Sequence, residues 1–125
     1  MDTRSKIVSS EAAPRDCTVV PGAFDPLLAE DARQLAEIRA AHPDGPLLAV
    51  VLPLPMELLP VRARAELVAA LRVVDYVVTA PDAATAATTN ALLAALQPTG
   101  LVRLEEAQAV RKRQLMEHVH RRPTS

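Results

Sequence analysis

The feature that most constrains the fold is the continuous apolar run LLAVVL at residues 47–52. Its length is that of a β-strand, and it shows no alternation of apolar and polar residues. Both faces of such a strand must therefore be covered, which is typical of a parallel sheet with helices on each side. The segment PLP at residues 53–55 ends the strand.

The rest of the chain alternates strand-like and helix-like segments around this run. Apolar runs predict further strands at 17–20, 73–78 and 101–104, and helical spacing predicts helices at 27–41, at 57 or 61 to 72, at 83–96 and at 105–120. This order predicts an α/β fold, a single Rossmann-like doubly wound parallel sheet with strand order 3-2-1-4. Residues 1–16 are expected to form a partly ordered leader, with Ile7 and Val8 as a candidate edge strand, and 17–125 the domain.

Helical spacing also predicts which faces are buried. Charged residues are expected outside the apolar stripes, so that the acidic first turn of the first helix (Glu30, Asp31) stabilises the helix dipole and the run 111–113 is solvated. The predicted stripes are, in chain order, Leu28, Ala32, Leu35 and Ile38 or Arg39; Ala63, Leu67, Ala70, Leu71 and Val74; Ala84, Thr88, Leu92 and Ala95; and Ala107, Val110, Leu115 and Val119.

Composition excludes some functions. The chain has 125 residues, 50% hydrophobic and 23% charged, with a net charge of −1, which suits one domain with a substantial core. This charge gives no electrostatic reason to bind nucleic acid, and an aromatic content of 2% argues against base-stacking platforms. No nucleic-acid partner is therefore expected.

The single cysteine and the hydropathy pattern bear on location. Cys17 cannot form an internal disulfide, which fits the reducing cytoplasm, and its place in a predicted strand predicts a buried, inert thiol. The N-terminus lacks the apolar segment of a signal peptide, and no run of about 18 apolar residues predicts a membrane span. We expect a cytoplasmic protein without membrane contact.

The segment TVVPGAFDPLLAED at residues 18–31 is the candidate site. It combines a buried strand, a tight turn at Gly22 and the start of a helix, which is where open α/β sheets bind ligands. Phe24 is expected in the core beneath the turn, whereas Asp25 is either the cap of the first helix or a ligand-binding group.

This segment resembles the signature of the cytidylyltransferase-like nucleotidyltransferases, most closely the heptose-phosphate adenylyltransferase and glycerol-phosphate cytidylyltransferase branch. The motif of that family reads G-x-F-D-x-x-H-x-G-H-x-x-x-L, and Gly22, Phe24, Asp25 and Leu35 are in register with it. The two histidine positions are Leu28 and Asp31 here, and Glu30 replaces the intervening glycine.

A second segment resembles the same family, and the resemblance covers about residues 17–104. RAELVAALRVVDYVV at 64–78 is similar to the family segment R-A-E-x-L-x-x-L-x-x-V-D-Y-V-V. Asp82 is a candidate cap of the third helix. The fourth strand occupies the place of the family segment P-D-x-x-V-K-G without its Lys-Gly end, and Arg103 is the nearest basic residue.

The resemblance implies a site for a nucleoside triphosphate. In the family, both histidines bind the phosphates as a nucleotide is transferred to a phosphorylated sugar or alcohol, usually with Mg²⁺, and pyrophosphate is released. The implied nucleotide-binding candidates are Gly22, Ala23, Phe24, Asp25, Glu30, Asp31 and Arg103, with no catalytic residue assigned. A carboxylate such as that of Asp31, about 4 Å from a phosphate oxygen, would repel it by roughly 4 kcal/mol at an effective dielectric near 20.

Three functions remain open from the sequence. The first is a degenerate nucleotidyltransferase-like domain without activity, acting as a binding, regulatory or assembly module, either as a homodimer or with a protein partner. The alternative is an active enzyme that binds ATP or CTP through Mg²⁺ held by Glu30 and Asp31. A subunit that borrows catalytic residues from a partner chain is a third option. Arg62, Arg64 and Arg103 either line a residual anion pocket or lie on the surface.

The sequence offers no other catalytic or metal site. No phosphate-binding glycine loop and no paired-cysteine spacing occurs. His118 and His120 lie two residues apart, so they cannot share a helix face and a metal pair is not expected.

Overall fold

The computed structural model describes residues 2–81 and 85–121, with side chains to Val119. A sheet of four parallel strands crosses the molecule in the order β3-β2-β1-β4, which confirms the predicted α/β class and strand order. The strands are β1 (Thr18–Gly22), β2 (Leu47–Val51), β3 (Tyr76–Thr79) and β4 (Gly100–Leu101).

Helices connect and follow the strands, as the β-α alternation predicts. They are α1 (Ala29–Ala41), α2 (Val61–Ala69), α3 (Ala86–Ala95) and α4 (Glu105–Arg121). Among the described residues, no helix is both long enough and apolar enough to cross a membrane.

The sheet has a hydrophobic core on each face, as the non-alternating run at 47–52 predicts. Leu47, Ala49 and Val51 of β2 pack into one core with Phe24 and Leu35. The intervening residues of the same strand enter the other core, which contains Leu48, Val50, Cys17, Val19, Leu93 and Leu96. All five residues of β2 are buried, which is the signature of a central parallel strand.

The two outer strands differ from the prediction. β3 begins at Tyr76 rather than Val73, because the chain first turns after α2, with Leu71 and Val74 donating from their N–H groups to the carbonyls of Val68 and Leu71. β4 is only Gly100–Leu101. Its continuation still follows β1, since Val102 N–H donates to Val19 O at 3.0 Å.

Residues 3–8 pack against the outer edge of β3. A 3-10 helix covers Thr3–Lys6, and Ile7 then forms an isolated parallel bridge with Val77 rather than a full strand. Val8 N–H donates to Val77 O at 2.9 Å, and Lys6 Nζ donates to Leu71 O at 3.1 Å. These contacts cover an edge that would otherwise expose unpaired backbone groups.

The predicted faces of three helices are only partly correct, since Leu71, Val74 and Leu92 pack into the cores but other predicted residues do not. α2 buries Arg64, Ala65, Val68 and Ala69, whereas Leu67 is 46% exposed. α3 is anchored by Leu93 and by Leu96 just after it, and Thr88 and Ala95 are exposed. α4 buries Gln108, and Val110 and Val119 are exposed. In α2 and α4, buried polar side chains with hydrogen-bond partners take the place of apolar ones. The spacing of apolar residues cannot identify such positions.

The start of α3 is capped by Thr85. Its hydroxyl accepts from Thr88 N–H at 3.3 Å, while Thr88 Oγ1 accepts from Thr85 N–H at 2.6 Å. The residue predicted for this role, Asp82, lies outside the described residues, as does Ala84 of the predicted stripe.

Candidate functional site

The turn between β1 and α1 lies at the carboxyl ends of the parallel strands, as predicted. Phe24 has a φ of 51°, in the left-handed region that favours glycine, and its ring is fully buried, which confirms its predicted core position. Gly22 is required for space, because a Cβ there would lie 2.5 Å from Gln108 Oε1 and 2.9 Å from the Phe24 ring.

A side chain of α4 occupies the backbone donors of this turn. Gln108 Oε1 accepts from Ala23 N–H at 2.7 Å and from Phe24 N–H at 3.1 Å. Ala23 and Phe24 are candidate nucleotide-binding residues, and their N–H groups are the donors that a phosphate would need. Sequence reasoning missed Gln108, because nothing local in a mostly polar helix marks one glutamine as buried.

Asp25 is buried and held from two elements. Its carboxylate accepts from Leu58 N–H at 2.6 Å, from Leu59 N–H at 2.8 Å and from Lys112 Nζ at 2.9 Å. Burial acts to raise the pKa of Asp25, but the hydrogen bonds from Lys112 and the two N–H groups outweigh it and hold the pKa below its ordinary value. Of the two alternatives for Asp25, the cap of α1 is wrong, because the carboxylate binds the loop before α2.

Asp31 caps the first turn of α1, and it is buried although helical spacing places it outside the apolar stripe. It is 2% exposed, and its Oδ2 accepts from Leu28 N–H at 2.9 Å. Its Oδ1 forms an ion pair with Arg111 of α4, which also donates to Gln34 Oε1 at 2.8 Å. The prediction of a solvated charge run at 111–113 is therefore wrong for Arg111 and Lys112, since each pairs with an aspartate of the turn region.

The other two charged candidates lie away from the turn contacts. Glu30 pairs with Arg33 on the exposed side of α1. Arg103 donates to Glu105 Oε1 at 2.7 Å and to Asn90 Oδ1 at 2.8 Å. Glu30 and Asp31 are adjacent in sequence, but each has a cation of its own.

Arg64 links the turn to neighbouring chain segments through hydrogen bonds. It is fully buried, and its Nη1 donates to Ala23 O at 2.9 Å and to Leu52 O at 2.7 Å. The remaining nitrogens donate to Leu59 O at 3.0 Å and to Glu57 Oε2 at 2.8 Å. The surface alternative considered for Arg64 is thus wrong, and every polar group of this guanidinium contacts protein. Arg62, in contrast, is exposed and pairs with Glu66.

A cavity of about 340 Å³ lies between the turn, the loop after β2 and α4. Its walls combine apolar residues with charged residues. The lining residues are Ala23, Asp25, Pro26, Leu28, Asp31, Leu52, Pro53, Leu54, Glu105, Glu106, Gln108, Ala109, Lys112 and Arg113.

The residues around the turn do not fit a Mg²⁺ site. The two oxygens of Asp31 are bound to Leu28 N–H and Arg111, and Glu30 pairs with Arg33. Within the part of the chain that the structure describes, no three His, Cys, Asp or Glu residues are grouped as metal ligands. The side chain of His120 lies outside that part.

The thiol of Cys17 is buried just before β1, which confirms its predicted burial although the strand begins one residue later. Burial raises the pKa of this thiol, and the nearby carboxylates of Asp75 and Asp16 raise it further. Such a thiol is a poor nucleophile at neutral pH.

Comparison with known proteins gives no assignment, since no protein-family model matches the chain and no curated protein matches it either.

Proposed function

We propose that this chain is a degenerate nucleotidyltransferase-like domain that does not transfer nucleotides and acts as a binding, regulatory or assembly module. The observation that carries the proposal is the pair of hydrogen bonds from Ala23 N–H and Phe24 N–H to Gln108 Oε1. The backbone donors at the strand-to-helix turn, where a phosphate would bind, already have a partner from the same chain.

The charges around the turn support the same proposal. Lys112 and Arg111 pair with the two buried aspartates of the turn region, Asp25 and Asp31, and neutralise them. Phosphoryl and nucleotidyl transfer depend on positive groups that are available to the phosphates. A triphosphate would have to displace two partly buried ion pairs before it gained these cations.

The proposed module would act through a protein partner or as a homodimer in the cytoplasm. The surface of α3 supports an assembly role, because this apolar helix buries only Leu93 within its length. Its exposed residues include Ala86, Ala87, Ala91, Ala94 and Ala95, which allow close approach of another chain. Sedimentation velocity at several protein concentrations tests self-association, and a monomer at every concentration would remove the homodimer.

Calorimetric titration with ATP and with CTP, each with and without Mg²⁺, tests the proposal, together with an assay for pyrophosphate release. We expect no saturable binding up to millimolar nucleotide and no pyrophosphate. Binding that requires Mg²⁺, with pyrophosphate release that Asp31→Ala abolishes, would instead support the alternative enzyme with Glu30 and Asp31 as metal ligands. Glu37→Ala, at an exposed site on the same helix, is the matched control.

A further inference from the structure

The cavity beside the turn is bordered by an exposed face of α4. Glu106, Ala109 and Arg113 follow the i, i+3, i+7 spacing that places side chains on one helix face. All three line the cavity, and all three are exposed to solvent. A ligand that enters the cavity therefore reaches these side chains directly.

Apolar side chains from two other elements also line the cavity. They are those of Leu28 at the start of α1 and of Leu52 and Leu54 after β2, and each is only partly buried. The cavity volume of about 340 Å³ lies at the small end of the range for ligand pockets, about 300–1,000 Å³. An apolar chain of modest size would gain favourable burial against these side chains.

Six charged side chains line the cavity, and four of them already have partners of opposite charge within the chain. These four are Asp25 and Lys112, which bind each other, Asp31 and Glu105. A charged group of a ligand gains little from them, because it would first have to break an existing ion pair.

The other two charged side chains, Glu106 and Arg113, form no ion pair within the described part of the chain. Glu117 lies one helical turn after Arg113 and does not pair with it either. Seven residues of an α-helix span about 10 Å. The cavity therefore presents an anion and a cation about 10 Å apart along α4, with Ala109 between them.

These two charges favour a dipolar ligand. A ligand with a carboxylate alone would be attracted by Arg113 and repelled by Glu106, and a ligand with an ammonium group alone would experience the reverse. A ligand that carries both groups at the matching separation gains both attractions. An apolar chain between the two groups would cover the leucine side chains of the cavity.

We infer that this cavity binds a linear ω-amino carboxylic acid, whose ammonium and carboxylate groups are separated by an apolar chain. The ammonium group pairs with Glu106, the carboxylate pairs with Arg113, and the chain packs against Leu28 and Leu54. An extended eight-carbon compound spans about 10 Å between its charged groups, at roughly 1.2 Å of advance per bond. This inference rests on the proposed function, because it names a ligand for the binding role and requires a cavity that does not hold a nucleotide.

The direct test is calorimetric titration of the full chain with 8-aminooctanoate. We expect saturable binding with a Kd of about 1 mM or lower. Octanoate and octylamine each lack one charged group and should bind at least about threefold more weakly, the factor that an exposed ion pair contributes. No saturation by 8-aminooctanoate, or equal binding of the three eight-carbon compounds, would overturn the inference.

Two variants of exposed residues assign the ends of the ligand. Arg113→Gln and Glu106→Gln should each weaken 8-aminooctanoate binding about threefold. Arg113→Gln should weaken octanoate binding but not octylamine binding, and Glu106→Gln should weaken octylamine binding but not octanoate binding. The controls are Arg72→Gln and Glu37→Gln, at exposed positions that do not line the cavity, and they should leave binding unchanged. Unchanged 8-aminooctanoate binding by both cavity variants would contradict the inference.

Titration with Mg²⁺-ATP under the same conditions separates failure of this inference from failure of the proposed function. If neither 8-aminooctanoate nor ATP binds, the ligand inference fails and the inactive module remains. If Mg²⁺-ATP binds saturably and displaces 8-aminooctanoate, the cavity is a nucleotide site and both proposals fail.

Discussion

At each end of the sheet, an aspartate accepts hydrogen bonds from the backbone and from a cation, but the two aspartates differ in burial. At the amino end, Asp75 accepts from Leu47 N–H at 2.8 Å and from Arg39 Nη1 at 3.0 Å. At the carboxyl end, Asp25 likewise accepts from backbone N–H groups and from a cation, Lys112. The side chain of Asp75 is 38% exposed, whereas that of Asp25 is fully buried.

The stability of the chain therefore depends more on the polar contacts at the carboxyl end than on those at the amino end. A half-exposed ion pair contributes little, because water replaces either partner when the pair breaks. A buried pair is costly to break, since the remaining charge has no solvent. Among the described residues, the buried side-chain polar atoms without partners, Glu105 Oε2, Gln108 Nε2 and Arg111 Nε, all belong to α4. The carboxyl end is therefore the more tightly held end, but it is also where buried polar atoms lack hydrogen-bond partners.

The largest expected effect on the unfolding free energy is that of replacing Arg64 at the carboxyl end, compared with Arg39 at the amino end. Arg64→Met should lower the free energy of unfolding by about 3–5 kcal/mol, because it removes a fully buried guanidinium and leaves Glu57 and three carbonyl groups without their donor. Arg39→Met, at the half-exposed amino end, should cost about 1 kcal/mol or less. Urea unfolding of both variants measures the difference, and equal losses would contradict the comparison.

The two aspartates should differ in the same direction. Asp25→Asn leaves Lys112, whose side chain is 22% exposed, without its carboxylate and should cost about 2–4 kcal/mol in unfolding free energy. Asp75→Asn should cost about 1 kcal/mol, since Arg39 retains the carbonyl of Gly45 at 2.6 Å. Thermal and urea unfolding report both values. A greater loss for Asp75→Asn would refute the assignment of the carboxyl end as the tightly held one.

A smaller effect concerns the unfolding free energy at acidic pH. Because the folded-state pKa of Asp25 lies below its unfolded value, this carboxylate adds stability above the unfolded pKa and loses it as the pH falls through the folded pKa. The unfolding free energy of the natural chain should therefore decline below about pH 4 more steeply than that of Asp25→Asn. Urea unfolding from pH 6 to pH 3 provides the slopes, and parallel slopes would exclude Asp25 as a source of the acid sensitivity.

The fold was largely predictable because apolar pattern determines it. The runs at 17–20 and 47–52 predict central strands, and the β-α order leads to the observed strand order through right-handed crossovers. The ends of β3 and β4 were not predictable, since apolar residues such as Val73 and Val102 also occur in turns and extended segments.

For the site, only the position of the turn and its buried aromatic residue was predictable. The turn at Gly22 and the burial of Phe24 follow from local sequence, but the cations that pair with Asp25 and Asp31 lie 87 and 80 residues further along the chain. Helical periodicity counts apolar residues, so it places Gln108, Arg111 and Arg64 in solvent. Their burial depends on hydrogen bonds to distant segments, which no local pattern reveals.

The most direct test of the central claim, that α4 occupies the donors of the turn, is amide hydrogen exchange at Ala23 and Phe24 measured by NMR. We predict that both amides are protected in the natural chain and that Gln108→Ala lowers their protection about tenfold or more, while Gln114→Ala, an exposed glutamine of α4, leaves it unchanged. Rapid exchange at both amides in the natural chain, or full protection in Gln108→Ala, would contradict the claim.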